Sequence, residues 1–296
     1  MTYHGRFAPS PTGPLHFGSL VAAVASWLDA RAAGGRWSVR IEDVDAPRTV
    51  AGAAGSILAT LEACGLEWDG EVTYQSARSA LYEAALARLC AAGALYRCRC
   101  SRREIADSGL AGIEGVVYPG TCRDRTIGSG EPCAWRFRVP PGLVEFEDRV
   151  QGRVVQDVAR DVGDFVLRRR DGLYAYQLAV VVDDAEEGVT DVVRGADLLA
   201  STPRQVLLQR SLGIATPRYL HVPVATDAHG EKLSKQNHAP ALDGCAAAAL
   251  LPAVLAFLGQ RAPEPGPPRE ILAEAARRWL PHAIPRATAI PVARAA

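Results

Sequence analysis

Two segments of this chain carry residues at spacings that suit work on a nucleotide. The first is Pro9-Ser10-Pro11-Thr12-Gly13-Pro14-Leu15-His16-Phe17-Gly18-Ser19. A Pro- and Gly-rich loop runs into a helix whose N-terminus begins near Gly18, where unpaired backbone N–H groups suit a phosphate. Gly18 lets a ring or a phosphate approach the backbone closely, and His16 can donate to a phosphate oxygen as its charge grows. The second segment is Glu231-Lys232-Leu233-Ser234-Lys235. Its Lys232 and Lys235 make a compact cationic clamp for a leaving pyrophosphate. Read alone, the first segment also fits a capped turn with a surface histidine, and the second a solvated loop.

A third set is sulfur. Cys98-Arg99-Cys100 is followed by Cys122, in Tyr118-Pro119-Gly120-Thr121-Cys122. Structural zinc usually takes four tetrahedral ligands. On sulfur chemistry Cys133 is the obvious fourth; buried free thiols are the other reading. The chain has seven cysteines, an odd and sparse set, which argues against a disulfide scaffold and for reduced thiols.

Several elements must position these residues. Arg6-Phe7-Ala8 reads as the end of a first strand, broken by Pro9, Pro11 and Pro14. Val21 to Arg31 has helical spacing and stops at Gly34-Gly35; Trp37 to Glu42 alternates like a strand. Helices follow at Ile57 to Cys64 and Leu81 to Cys90. This strand, loop, helix, strand order predicts a parallel α/β nucleotide fold. From about Leu95 to Arg170, cysteines, glycines and short β-like runs such as Trp135 to Val139 predict an insertion with its own small sheet. Ala175 to Val182 and Val189 to Arg194 have the composition of buried strands. Cys245 to Leu258 reads as a core helix too short to span a membrane. A Pro-rich linker, Arg261 to Pro268, precedes a last helix at Glu270 to Leu280.

The composition is 48% hydrophobic, enough for a sizeable core. Basic and acidic residues balance at 33 each, so no bulk charge advertises a nucleic acid, although a local basic patch remains compatible with one. The N-terminus has no apolar run of a signal peptide, and the expected location is cytoplasmic, with no membrane contact.

Taken together, the two nucleotide segments resemble the HIGH-like and KMSKS-like signatures of class I aminoacyl-tRNA synthetases, here His16-Phe17-Gly18-Ser19 and Lys232-Leu233-Ser234-Lys235-Gln236. The departures are Phe17, Ser19, Leu233 and Gln236. Arg6 to Gly13 is similar to the opening of glutamyl-tRNA synthetases. Arg40-Ile41-Glu42-Asp43-Val44-Asp45 with Arg48, and Asp183-Asp184 through Gly188 to Gly195, resemble two further elements of that branch. The similarity covers residues 5 to about 240. It implies that Arg6, Ala8, Ser10, Glu42, Tyr176 and Arg194 contact glutamate, and that His16, Gly18, Ser19, Lys232 and Lys235 serve ATP and its activation. The chemistry agrees: Arg6 and Arg194 offer planar forks for carboxylates, and Glu42, at the C-terminal end of its strand, can meet the ammonium. Glu42 could instead pair with Arg40 or Arg48, and Tyr176 could be core.

The segment Cys98 to Arg123, together with Leu15 to Ala23 and Asp197 to Gln205, resembles a short paralogous family, the glutamyl-queuosine tRNA(Asp) synthetases. In that family the fourth zinc ligand beside Cys98, Cys100 and Cys122 is the tyrosine, here Tyr118. The resemblance implies a Rossmann-type class I synthetase catalytic domain, with an inserted small α/β zinc-containing subdomain and a short helical C-terminal region. The expected organisation is a first catalytic half at 1–94, the insertion at 95–174, a second catalytic half at 175–240 and a helical tail at 241–296. Residues 237–296 are too few for helical anticodon-reading domains. The implied reaction is ATP- and Mg²⁺-dependent activation of L-glutamate and its transfer to queuosine in the anticodon loop of tRNA(Asp), by a monomer. Two other readings are a truncated glutamyl-tRNA synthetase charging a tRNA 3′ end, and a catalytically silent zinc-containing RNA-binding paralogue.

Overall fold

A computed structural model describes residues 2–107, 111–113, 115–128, 130–227, 229–232, 242, 244–261 and 264–292. Strand β1 (His4–Phe7) and strand β2 (Arg36–Ile41) pair in parallel, with Gly5 opposite Trp37 and Phe7 opposite Val39. Parallel strands need a crossover, and helix α1 (Phe17–Ala32) supplies it. Its Leu20, Val21, Val24 and Leu28 are buried. Helix α2 (Ala53–Ala63) leads to β3 (Thr73–Tyr74), which pairs in parallel on the other side of β2. Trp37, Val39 and Ile41 of β2 are fully buried, as expected of a strand flanked on both sides.

Helix α3 (Ser79–Ala91) enters β4 (Leu95–Cys98). The next stretch holds α4 (Arg102–Ala106), the two-residue strands β5 (Ala111–Gly112) and β6 (Gly115–Val116), and β7 (Ala134–Phe137). A hairpin of β8 (Val144–Asp148) and β9 (Gly152–Gln156), helix α5 (Val158–Asp161) and β10 (Phe165–Arg168) follow. Strands β10, β7 and β4 form the small antiparallel sheet expected of the insertion. The hairpin does something else. Strand β8 joins a four-stranded sheet with strands from later in the chain, in the order β11-β12-β8-β9. There β11 (Asp191–Gly195) and β12 (Arg218–Val222) are parallel, and Asp148 of β8 stands opposite Tyr219. Strand β11 also lies beside β1: the Thr190 N–H donates to His4 O at 2.9 Å. Strands from the start and from the later part of the chain thus meet edge to edge.

One expected strand is a helix. Residues Ala175 to Val182 contribute most of α6 (Tyr176–Glu186). All residues from Gln177 to Asp184 are buried. A helix buried all round has no polar stripe, and its run of valines mimics a buried strand. The expected single helix at Cys245 to Leu258 is also divided. It forms α8 (Gly244–Ala249) and α9 (Leu251–Phe257), with Pro252 in the first turn of the second helix, where its missing N–H costs nothing. Between β11 and these lie α7 (Thr202–Leu212) and β13 (Val224–Thr226).

The C-terminal helices pack against α1. Helix α10 (Pro268–Arg277) buries Ile271 and Leu272 in the same core as α1. Trp279 donates to Asp29 of α1 at 2.8 Å, and the same carboxylate takes Tyr3 and a bidentate Arg149. A short β14 (Ala289–Pro291), not expected from sequence, pairs in parallel with β13.

Candidate functional site

The C-terminal ends of β1, β2 and β11 open into one cavity of about 820 Å³. Ligands of open α/β sheets bind at this edge. Ten of the residues singled out from sequence line it: Arg6, Ala8, Ser10, His16, Gly18, Ser19, Glu42, Tyr176, Arg194 and Lys232. Lys235, with Leu233, Ser234 and Gln236, lies outside the described residues. The loop from Ala8 to Leu15 is tied to the sheet where Glu42 N–H donates to Pro9 O at 2.9 Å. His16 caps α1, its Nδ1 accepting from Ser19 N at 3.3 Å. Lys232 meets Asp197, which lines the same cavity.

Behind Arg6 sits a buried charge network. Its Nε donates to Asp184 Oδ1 at 3.0 Å, and Arg40 Nη2 donates to the same oxygen at 2.7 Å. Arg40 also holds Glu187 at 2.8 Å and lies 3.4 Å from Glu42 Oε1. Asp183 is bound by Gln75, Arg78 and Tyr82, all within 2.8 Å. Burial pushes Asp184 up, but Arg6 and Arg40 outweigh it and hold the carboxyl below its ordinary range. Glu42 differs. Burial pushes it up to about 7, against the pull of Arg40 and Arg6, with Asp184 and Asp183 adding to the rise. Of the two pairings open to Glu42 from sequence, Arg40 is the neighbour; Arg48 pairs with Asp45 at 2.6 Å. A cation entering the cavity would find in Glu42 a carboxylate only loosely committed.

Arg194 is held by neutral groups. Its Nε donates to His221 Nε2 at 3.0 Å, and its Nη2 to Thr202 Oγ1 and Gln205 Oε1, each at 2.8 Å. Tyr176 OH lies 3.4 Å from Nη1. Tyr176 is therefore both a cavity wall and an Arg194 neighbour.

Away from the cavity, the thiols of Cys98, Cys100 and Cys122 lie within 4.8 Å of one another. The Tyr118 hydroxyl points among them, 3.3 Å from Cys98 Sγ and 3.7 Å from Cys100 Sγ. Three sulfurs and one oxygen at mutual contact form a donor set that fits a tetrahedral metal. Burial and hydrogen bonding to Cys98 push the Tyr118 phenol up, so it stays neutral until a cation draws off its proton. Cys133, the other sequence candidate, is not in this group; Arg97 Nε lies 2.9 Å from its sulfur. Asp148 and His221 were not foreseen from sequence, and Arg40 was foreseen only as a partner of Glu42, not as the hub that joins Asp184 and Glu187. The available signal was a charged or titratable residue inside an apolar strand: Arg40 between Val39 and Ile41, His221 between Leu220 and Val222.

Comparison with known proteins places this geometry. The family of class I tRNA synthetases (E and Q), catalytic domain, matches residues 2–248. A glutamyl-Q tRNA(Asp) synthetase of Dechloromonas aromatica is 59% identical over 293 residues, covering 97% of each chain. One from Bordetella bronchiseptica is 56% identical, covering 98% of this chain and 93% of that protein. Among solved structures, a glutamate-tRNA synthetase from Elizabethkingia anophelis superposes with a TM-score of 0.81 at 23% identity, over 99% of this chain and 68% of that one. A glutamate tRNA ligase from Elizabethkingia meningosepticum gives 0.79 at 24%, over 98% and 67%. These two show the shared fold. No helix among the described residues is long and apolar enough to cross a membrane.

Proposed function

The chain belongs to the catalytic-domain family of class I glutamyl and glutaminyl tRNA synthetases, and within it to the glutamyl-Q tRNA(Asp) synthetases; from that membership we propose that it activates L-glutamate with ATP and transfers it to queuosine in the anticodon loop of tRNA(Asp). The observation that carries the proposal is a single cavity lined by Arg6, Arg194, Glu42, the N-terminus of α1 with His16, and Lys232. Arg194 and Arg6 take the carboxylates of glutamate. Glu42 meets its ammonium, with Tyr176, Ala8 and Ser10 closing the contact. The N-terminus of α1 at Gly18 and Ser19, with His16, Lys232 and Lys235, takes the ATP phosphates. The α-carboxylate attacks the α-phosphorus in line, the bond to the β,γ-diphosphate breaks, and glutamyl-adenylate and pyrophosphate result. A nucleophile of the queuosine base then attacks the activated carbonyl, and AMP leaves. Positioning and charge stabilisation supply most of the rate.

Magnesium accompanies ATP as its counterion. Cys98, Cys100, Tyr118 and Cys122 hold one zinc ion, whose role is to fix the inserted module. The working form is taken to be a monomer, and the tRNA substrate makes the cytoplasm its place of action. Glutamate-dependent exchange between ATP and radiolabelled pyrophosphate tests the activation step. Exchange that requires glutamate is expected; no exchange at saturating glutamate would overturn the proposal and leave a silent RNA-binding protein.

A further inference from the structure

Behind Arg194 stand two residues outside the cavity lining. His221 lies in β12 and Asp148 at the end of β8, and neither side chain has any exposed area. Asp148 is fixed in orientation. Its Oδ1 accepts the backbone N–H groups of Val150 at 3.0 Å, Gln151 at 2.8 Å and His221 at 3.2 Å. Its Oδ2 lies 2.6 Å from His221 Nδ1. An ionised carboxylate only accepts, so the ring proton sits on Nδ1. Burial brings His221 down to about 4, against the hydrogen bond that its ring donates to Asp148, so near neutral pH the ring carries no second proton. Nε2 therefore offers a lone pair, and Arg194 Nε–H donates to it at 3.0 Å. With Nη2 anchored on Thr202 and Gln205, one edge of the guanidinium is immobilised. The remaining nitrogen, Nη1, has among the described residues only the Tyr176 hydroxyl at 3.4 Å.

We propose that Asp148 and His221 are positioning residues for substrate recognition: Asp148 selects the His221 tautomer whose bare Nε2 aims Arg194 at a carboxylate of glutamate. The proposal rests on Arg194 binding that carboxylate. It gives a buried carboxylate remote from the cavity a role in substrate affinity, separate from its role in joining β8 to β12.

Asp148→Asn tests it with almost no change in volume. The three backbone N–H groups keep the amide oxygen at the Oδ1 position, which leaves the amide NH₂ facing His221. The ring must then accept at Nδ1 and carry its proton on Nε2, where it confronts Arg194 Nε–H. Wrong-tautomer logic of this kind is known from serine-protease triads. The expected result is a rise in glutamate KM of about tenfold or more, the scale of a buried donor left without an acceptor, with kcat and ATP KM close to wild type. His221→Gln keeps an acceptor near the Nε2 position, so its glutamate KM stays within a few-fold of wild type. In that background Asp148→Asn adds little, whereas a purely structural Asp148 would cost the same in both. A wild-type glutamate KM in Asp148→Asn, or equal penalties in the two backgrounds, would overturn the relay. Arg194→Ala separates the two readings. If it raises glutamate KM while Asp148→Asn does not, the relay alone falls; if it leaves glutamate KM unchanged, the assignment of Arg194 falls and the relay with it. Nitrogen NMR of the histidine-labelled wild-type protein reads the tautomer without any variant. The His221 Nε2 resonance of an unprotonated nitrogen is expected, and a proton on Nε2 would contradict the proposal.

Discussion

Two arginines reach the same cavity from neighbouring strands, Arg6 in β1 and Arg194 in β11, and they are held by opposite chemistry. Arg6 donates to Asp184, a carboxylate it shares with Arg40. Arg194 donates to a neutral histidine, a threonine and a glutamine. The first arginine is already compensated, so it offers direction more than net charge. The second keeps its charge for whatever enters. A buried ion that is paired contributes mainly through the loss its partner's removal would cause, whereas one held by dipoles retains its Coulomb pull on a ligand. The contrast separates an arginine whose partner also joins distant parts of the fold from one whose neutral partners leave its charge open to a ligand.

The two largest effects are expected from removing the carboxylate that holds Arg6 and from removing Arg194 itself. Asp184→Ala leaves Arg6 and Arg40 facing each other in a buried space and should cost about 3–5 kcal/mol of folding stability, read as a lowered denaturant midpoint. Arg194→Ala should instead fall on binding: kcat/KM for glutamate drops by the equivalent of about 2–5 kcal/mol, while ATP KM moves little. If Asp184→Ala were stable and Arg194→Ala unfolded, the contrast would be reversed.

A smaller effect follows from Glu42, which lies between the two arginines' networks and is pushed up to about 7 by burial. Its folded value is above the ordinary carboxylate value, so the proton is bound more tightly in the folded state. The stability this provides is complete below the ordinary carboxylate range and is lost as pH rises through about 7. Binding has the opposite sign, since the ammonium of glutamate needs the ionised form. Glutamate KM should therefore rise about fivefold from pH 7 to pH 6, and glutamate binding near pH 7 should release protons, seen by calorimetry in buffers of different ionisation enthalpy. A flat KM over this range would remove Glu42 from the ammonium site.

The smallest change in catalysis is expected at the cysteine cluster, which lies outside the cavity. Tyr118→Phe should weaken zinc retention by at least the roughly tenfold that loss of a supporting partner costs, with little effect on adenylate formation. Cys133→Ser should leave the metal in place, because Cys133 faces Arg97 rather than the cluster. Elemental analysis after chelator challenge distinguishes the two.

The legible part of this molecule was local. Strand β1, the Pro-rich loop, α1 and β2 follow one another in sequence, so Arg6, His16 and Glu42 could be placed from periodicity and turn residues. Helix α6 was not legible as a helix, because residues buried on every side show no stripe to set the period. The supporting partners were hidden for another reason. Arg6 and Asp184 are 178 positions apart, and His221 and Asp148 are 73 apart. Such pairings exist only once the sheet is assembled, and no local pattern records them. Even the Asp183-Asp184 pair, visible as part of a resemblance, gave no hint that it anchors Arg6 and Arg40. The hairpin β8–β9 sits in the stretch read as an insertion, yet it delivers Asp148 to the main sheet for the same reason.

Whether glutamate activated in this cavity goes to queuosine is read from where a label on the glutamate ends up. Radiolabelled glutamate, ATP and tRNA(Asp) with or without queuosine are incubated with the protein, and the tRNA is then cut into fragments. Label is expected in the anticodon-loop fragment, dependent on queuosine. Label on the 3′-terminal ribose, or transfer indifferent to queuosine, would contradict it.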